Sequence, residues 1–288
     1  NTDVLYAGAA TSGLWKSTNK GINWFPLFDE DLLINEVYSI EIDHSNSDVV
    51  FFSNTGKLYK STDGGLTYEL LFELDFVKDI VMHPTDNNIL FVCDESALYK
   101  ININDNNLET LLNGNFFEIE FHPNDPEIIY TVKESSNRTV FMKSINGGQD
   151  FGMFVDSPWP DPSSPDEQRR TEIAVSPNAP NNIYALTTGS VNGGSGLYGI
   201  YVSQDMGETW EFRCCGPQPG GEPSEDNQNL MGWSHEGLDD GGQYYYDLAL
   251  AVDPNNANRI HVGGVNHWVS EDGGYTFLCP SKWSWADD

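Results

Sequence analysis

The residues best suited to chemistry in this 288-residue chain gather in one long connecting stretch, 211–244, which carries Trp233, His235, Glu236, Asp239, Asp240 and Tyr244. Aromatic rings stack on the apolar faces of sugars while carboxylates and ring nitrogens fix hydroxyls, so Trp233, His235, Asp240 and Tyr244 are candidates for a ligand site. Glu236 with Asp239 or Asp240 is the pair that an inverting glycosidase would need, one carboxyl protonated and the other activating water, ~6.5–9.5 Å apart. That nomination is weak in a chain with 44 acidic residues, because some pair of acids always lies close. In the plainer reading Trp233 pins the loop down, and Tyr245 and Asp247 open a strand running through 246–252.

Other chemistries lack their signatures. No glycine-rich phosphate loop, Ser-His-Asp arrangement or zinc-type cysteine spacing is present. The six histidines are scattered, and His83 and His122 occupy repeated turn positions, so they read as turn residues. Asn102, Asn104 and Asn106 alternate like the first ligands of a calcium loop but lack its glycine and closing glutamate, so a structural calcium ion is the only cofactor considered. Adjacent Cys214 and Cys215 pair either with each other or with Cys279 if the compartment is oxidising, and the pairing stays open. With 14 Lys and Arg against 44 Asp and Glu, the formal charge of −30 repels nucleic acid and anionic membrane. No apolar run approaches the ~20 residues of a membrane-crossing helix, so direct membrane insertion is not expected.

Five copies of Ser-x-(Asp/Asn)-x-Gly-x-x-aromatic set the framework that must position these residues. They are Ser17, Asn19, Gly21 and Trp24; Ser61, Asp63, Gly65 and Tyr68; Ser144, Asn146, Gly148 and Phe151; Ser203, Asp205, Gly207 and Trp210; and Ser270, Asp272, Gly274 and Phe277. The interval of 83 residues from Ser61 to Ser144 is about twice the 44 from Ser17 to Ser61, and a worn sixth copy, around Ile101, fills it. Every copy sits in the same order of strands, with a Pro- or Asn-bearing turn such as His83-Pro84 or Asp253-Pro254 between the first two. Four-stranded units of this length with no helical pattern between them predict an all-β fold, a β-propeller with about six blades visible and a ring that is seven-bladed or incomplete. A helical turn over 166–170 is the most that any helix signal allows.

The copied hairpin resembles the Asp-box, or BNR repeat, of sialidases, glycoside hydrolase family 74, sortilin-type receptors and a photosystem II assembly factor. In such a box the Ser and Asp or Asn side chains satisfy the loop's own amides, the glycine takes positive φ, and the aromatic anchors the hairpin in the packing between sheets. The acids are then structural, and Asn in place of Asp is tolerated because only an acceptor oxygen is required. The stretch Asn229–Trp233, with Gly241-Gly242-Gln243, 246–256 and Val262–Asn266, resembles more particularly the secreted propeller proteins of Bacteroidetes that end in a type IX secretion sorting domain.

These readings predict one propeller over 1–288, an excerpt of a longer chain, with insertions at 156–170 and 211–244. The proline-stiffened first insertion is expected at the surface. The chain would be secreted or held at the cell surface as a non-enzymatic adhesion or recognition module. Its partners would be a glycan or a surface protein, and the secretion machinery during export. The alternative is a polysaccharide hydrolase of the family 74 type.

Overall fold

A computed structural model describes residues 3–27, 36–136, 138–154, 159, 167–190 and 196–283, and among these there are strands and turns but no helix. The chain divides into two compact units, Asn1–Ile119 and Glu120–Asp288. The first holds three antiparallel sheets, ordered β1-β2-β3, β4-β5-β6 and β10-β9-β8-β7. Their strands are β1 (Leu5–Ala9), β2 (Gly13–Ser17), β3 (Phe25–Pro26), β4 (Ile40–Ile42), β5 (Val50–Ser61), β6 (Glu69–Phe76), β7 (Asp79–Met82), β8 (Ile89–Cys93), β9 (Ala97–Asn102) and β10 (Asn107–Asn113). The second sheet has a fourth strand folded into β5. Phe52 and Tyr59 stack at 5.3 Å although an extended run would hold them about 20 Å apart, so β5 doubles back, at Gly56 with φ of 78°.

Three further sheets follow the same meander: β11 (Phe116–His122), which starts at the end of the first unit, with β12 (Asp125–Ser135), β13 (Arg138–Ser144) and β14 (Gly152–Phe154); then β15 (Glu167–Val175), β16 (Ile183–Ser190), β17 (Leu197–Ser203) and β18 (Glu211–Cys214); then β19 (Ala249–Asp253), β20 (Asn256–Gly263), β21 (His267–Ser270) and β22 (Leu278–Ser281). Six such sheets in succession are the blades of a β-propeller, as the repeat predicts.

Side chains alternate across each sheet, so within each unit adjacent blades meet through apolar faces. Phe51 joins Val77, Ile80, Leu90 and Ile101 in one buried cluster, while adjacent Phe52 faces the other way, onto Leu14, Val37 and Tyr59. In the second unit Tyr184, Ile200 and Val202 pack against Ile260, Val262, Trp268 and Phe277.

The copied hairpins hold themselves together through bonds that skip only a few residues. In each, the Ser Oγ accepts the N–H of the glycine four positions on, at 2.8–2.9 Å, and donates to the Asp or Asn Oδ1 at 2.8–3.0 Å. That oxygen in turn accepts the N–H of the residue four further along, at 2.8–3.0 Å. The residue before the glycine and the glycine itself are both left-handed, for example Met206 at 59° and Gly207 at 84°. This turn aims the first of the two amides at a carbonyl at or just before the start of the strand that pairs with the one leading into the hairpin: Lys20 to Asp3, Gly64 to Asp48, Gly147 to Glu127, Met206 to Asn181 and Gly273 to Asn258. The worn sixth hairpin, between β9 and β10, has lost the Ser and Gly yet keeps this bond, Ile103 N–H to Asn88 O at 2.9 Å.

Four expectations are corrected. Glu167–Arg170 is strand rather than a helical turn, because it continues the β-favouring run into Val175 and pairs with β16 across a bulge. The insertion predicted for 156–170 is therefore shorter, and apart from Trp159 and 167–170 it lies outside the described residues. Trp159 is not at the surface: it is fully buried among Phe141, Tyr201 and Trp210, with ring centres 4.6–6.4 Å away, where its large apolar area is best removed from water. The last blade's first strand starts at Ala249 rather than at 246, because Tyr246 and Asp247 both donate their N–H to Gln243 O and close a turn first. Of the box aromatics, Trp210 and Phe277 are buried and Tyr68 packs edge-on to Phe52 and Tyr59, but Trp24 stays open to solvent.

Candidate functional site

The predicted 211–244 insertion begins later than expected, since Glu211–Cys214 is β18, and the connection from β18 to β19 is built on buried amides. Asn229, 4% exposed, uses all four of its hydrogen-bonding positions. Its Oδ1 accepts the N–H groups of Leu197 (2.9 Å) and Met231 (3.1 Å), and its Nδ2 donates to the carbonyls of Asp239 (2.9 Å) and Gly241 (2.7 Å). Asn266, from the β20–β21 hairpin, donates to the carbonyls of Gly232 (3.2 Å) and Trp233 (3.1 Å) and accepts the N–H of Trp283 (3.2 Å). The same hairpin is bridged by His261 Nδ1 and His267 Nε2, 3.0 Å apart. Leu230 and Met231 sink into the core of the last blades, and Cys214 and Cys215, bonded to each other, join that core while Cys279 is free. Of the pairings left open by the sequence, the structure therefore has the adjacent one.

The loop so anchored presents aromatic rings outward. Trp233 is 40% exposed, Tyr245 and Tyr246 about 60%, and Trp283 58%. With its amide oriented so that each atom meets a complementary partner, Gln243 ties them together, accepting from the Trp233 indole at 3.2 Å and donating to the Tyr246 hydroxyl and to Asp247 at 2.9 Å. Trp283 Nε1 donates to the Trp233 carbonyl at 3.0 Å, and the rings of Tyr244, Tyr245 and Tyr246 meet edge-to-face in sequence. Burial lifts the Asp247 carboxyl above the ordinary range. The result is a shelf of half-open rings held by polar groups behind them.

The sequence-predicted residues separate here. Trp233 belongs to the shelf, with Tyr244 half-buried at its side. Asp240 is exposed and makes no side-chain bond among the described residues. His235 and Glu236 point elsewhere and help to line a cavity of about 470 Å³. Asp239 is occupied: its two oxygens accept the N–H groups of Trp233 (2.8 Å) and Ser234 (2.9 Å), which makes it a fastener of the loop. Asn102 Oδ1 likewise accepts the N–H of Asn104 at 3.0 Å, closing a turn. Among the described residues no three His, Cys, Asp or Glu side chains are grouped to hold a metal ion. Sequence reasoning assigned no role to Asn229, Asn266 or Gln243, the residues that organise the loop. Asparagine and glutamine in a glycine-rich stretch read as turn formers, and only their burial separates them from that role.

Fold and loop together define a class, the six-bladed β-propeller with a structured insertion beside its last blade. No protein-family model and no curated protein matches the chain. Among solved structures it is similar to an ancestral GH74 enzyme, with a TM-score of 0.70 at 17% identity over 98% of this chain and 37% of that one. It is also similar to YCF48 bound to D1 peptide (TM-score 0.60, 15% identity, 97% of this chain and 79% of that one) and to YCF48 from Cyanidioschyzon merolae (0.58, 14%, 97% and 82%). At such identities the likeness is one of fold, and the chain spans little more than a third of the GH74 enzyme.

Proposed function

We propose that this chain is a recognition module that binds carbohydrate on the Trp233–Tyr246–Trp283 shelf and performs no chemistry there. The observation that carries this reading is the Gln243 bridge: it fixes an exposed indole beside exposed phenols, so little side-chain entropy remains to be lost when a sugar face stacks on them. Tyr244 stands against Tyr245 as a hydroxyl partner, and exposed Asp240 is proposed as a second. The self-bonded hairpins support placing the chain among Asp-box propellers of the sortilin and family 74 kind. The resemblance over 229–266 to propeller proteins of Bacteroidetes supports export by a type IX route and a place at the cell surface or outside the cell. The Cys214–Cys215 disulfide fits an oxidising compartment. The hydrolase alternative loses Asp239, whose oxygens are spent on backbone amides.

The test is affinity electrophoresis in gels containing soluble polysaccharides, with product analysis on the same samples. Retardation without turnover is expected, and Trp233→Ala or Gln243→Ala should lower affinity at least about tenfold, or 1.4 kcal/mol. Cleavage of the polysaccharide that Glu236→Gln abolishes, or binding indifferent to Trp233, would refute the reading.

A further inference from the structure

The insertion also lines a cavity to which none of the shelf residues contributes. Here Glu225, His235, Glu236 and Leu238 of the loop face Phe277 and Leu278 of the last blade around the cavity of about 470 Å³. Its floor is apolar, formed by buried Phe277 and Trp268, and its walls include Leu238 and Leu278, exposed by 43% and 75%. No lysine or arginine lines it. The carboxylates of Glu225 and Glu236 make no side-chain hydrogen bond and no ion pair among the described residues. Elsewhere in the same unit Glu208 is paired with Lys143, Glu172 with Arg170 and Glu211 with Arg213.

An apolar floor between two unpaired carboxylates is complementary to an apolar stem that ends in a cation. We infer that this cavity seats a lysine or arginine side chain of a protein partner. The methylene stem would lie along Leu238 and Phe277 while the head group meets Glu225 and Glu236. The net charge of −30 draws a basic surface toward this protein, and Leu278, open at the mouth, offers contact to the residues flanking the inserted side chain. This site is independent of the sugar reading, since it uses neither Trp233 nor Gln243.

Calorimetric titration of the full chain with acetylated, amidated Gly-Ser-X-Gly-Ser-Gly peptides tests it, X being arginine, lysine, citrulline or norleucine. The arginine and lysine peptides should bind at least about tenfold more tightly than the citrulline and norleucine ones. Glu236→Gln and Glu225→Gln should each weaken the arginine peptide at least about threefold, and Leu238→Ser should also weaken it. Glu109→Gln, on exposed β10, should leave binding unchanged. Equal binding of arginine and citrulline, no saturation by the arginine peptide at millimolar concentration, or a loss with Glu109→Gln as large as with Glu236→Gln would overturn the inference. If Trp233→Ala leaves glycan binding intact while Glu236→Gln still weakens the peptide, the sugar reading fails and this one stands.

Discussion

Asn146 donates its side-chain amide to the Asp150 carboxylate at 3.2 Å, in the place where Asp205 accepts the Thr209 hydroxyl at 2.6 Å. The two hairpins make the same contact with donor and acceptor exchanged. Asp63 with Thr67 and Asp272 with Thr276 follow the Asp205 form, at 2.6 and 2.7 Å.

Exchanging one partner alone should therefore be costly. Asn146→Asp sets two carboxylates against each other and should destabilise by about 1 kcal/mol. Adding Asp150→Thr recreates the other form and should recover most of the loss. Urea unfolding of both single variants and the double variant measures the coupling, and additive losses would show that the two positions act independently.

The paired left-handed residues give a second expectation. Met206 and Lys20 sit at φ of 59° and 60° where three copies have glycine, so Met206→Gly and Lys20→Gly should each be neutral or stabilising by up to about 1 kcal/mol. Gly207→Ala should do the reverse, because a Cβ there would clash with the Phe141 ring, and a loss of at least about 2 kcal/mol in thermal unfolding is expected.

Acid should reach the hairpin carboxyls only after it has titrated ordinary carboxylates elsewhere. The Thr67 hydroxyl and then the Thr67 amide hold Asp63 down to about 2. In Asp205 and Asp272 burial works upward, but the bonds from Thr209 and Thr276 outweigh it and leave both below the usual range. All three are more acidic folded than unfolded, so the unfolded chain takes up more protons as pH falls. Their contribution is complete above about pH 4 and drains away toward pH 2. Unfolding measured at successive pH values should show that slope, and Thr67→Val should flatten it.

Asn229 should govern the insertion without governing the blades. Asn229→Ala strands the N–H groups of Leu197 and Met231 and two carbonyls, at a cost of about 1–3 kcal/mol for each group that water cannot reach. Amide exchange in 229–241 should accelerate and the rings at Trp233 lose their order, while exchange in β7–β9 stays as it is.

The blades are legible in the sequence because their bonds are local. Ser to Gly and Asp to Thr each span four residues, so a fixed spacing in the text is a fixed contact in space. The insertion is written differently. Asn229 reaches back 32 residues to Leu197 and Asn266 reaches 33 to Trp233, and no spacing rule announces such pairs. Trp159 was misplaced for the same reason: its partners Phe141, Tyr201 and Trp210 come from two other sheets, while the prolines around it point to a surface loop.

The amide that docks each hairpin onto its own blade, from Lys20 to Asp3 through Gly273 to Asn258, passes between main-chain atoms alone. Mutation can rewrite every side chain nearby and leave that clasp in place, as it has around Ile103. A lineage built this way can change its vocabulary almost completely while keeping its grammar, and kinship between its members would then be easier to trace in shape than in spelling.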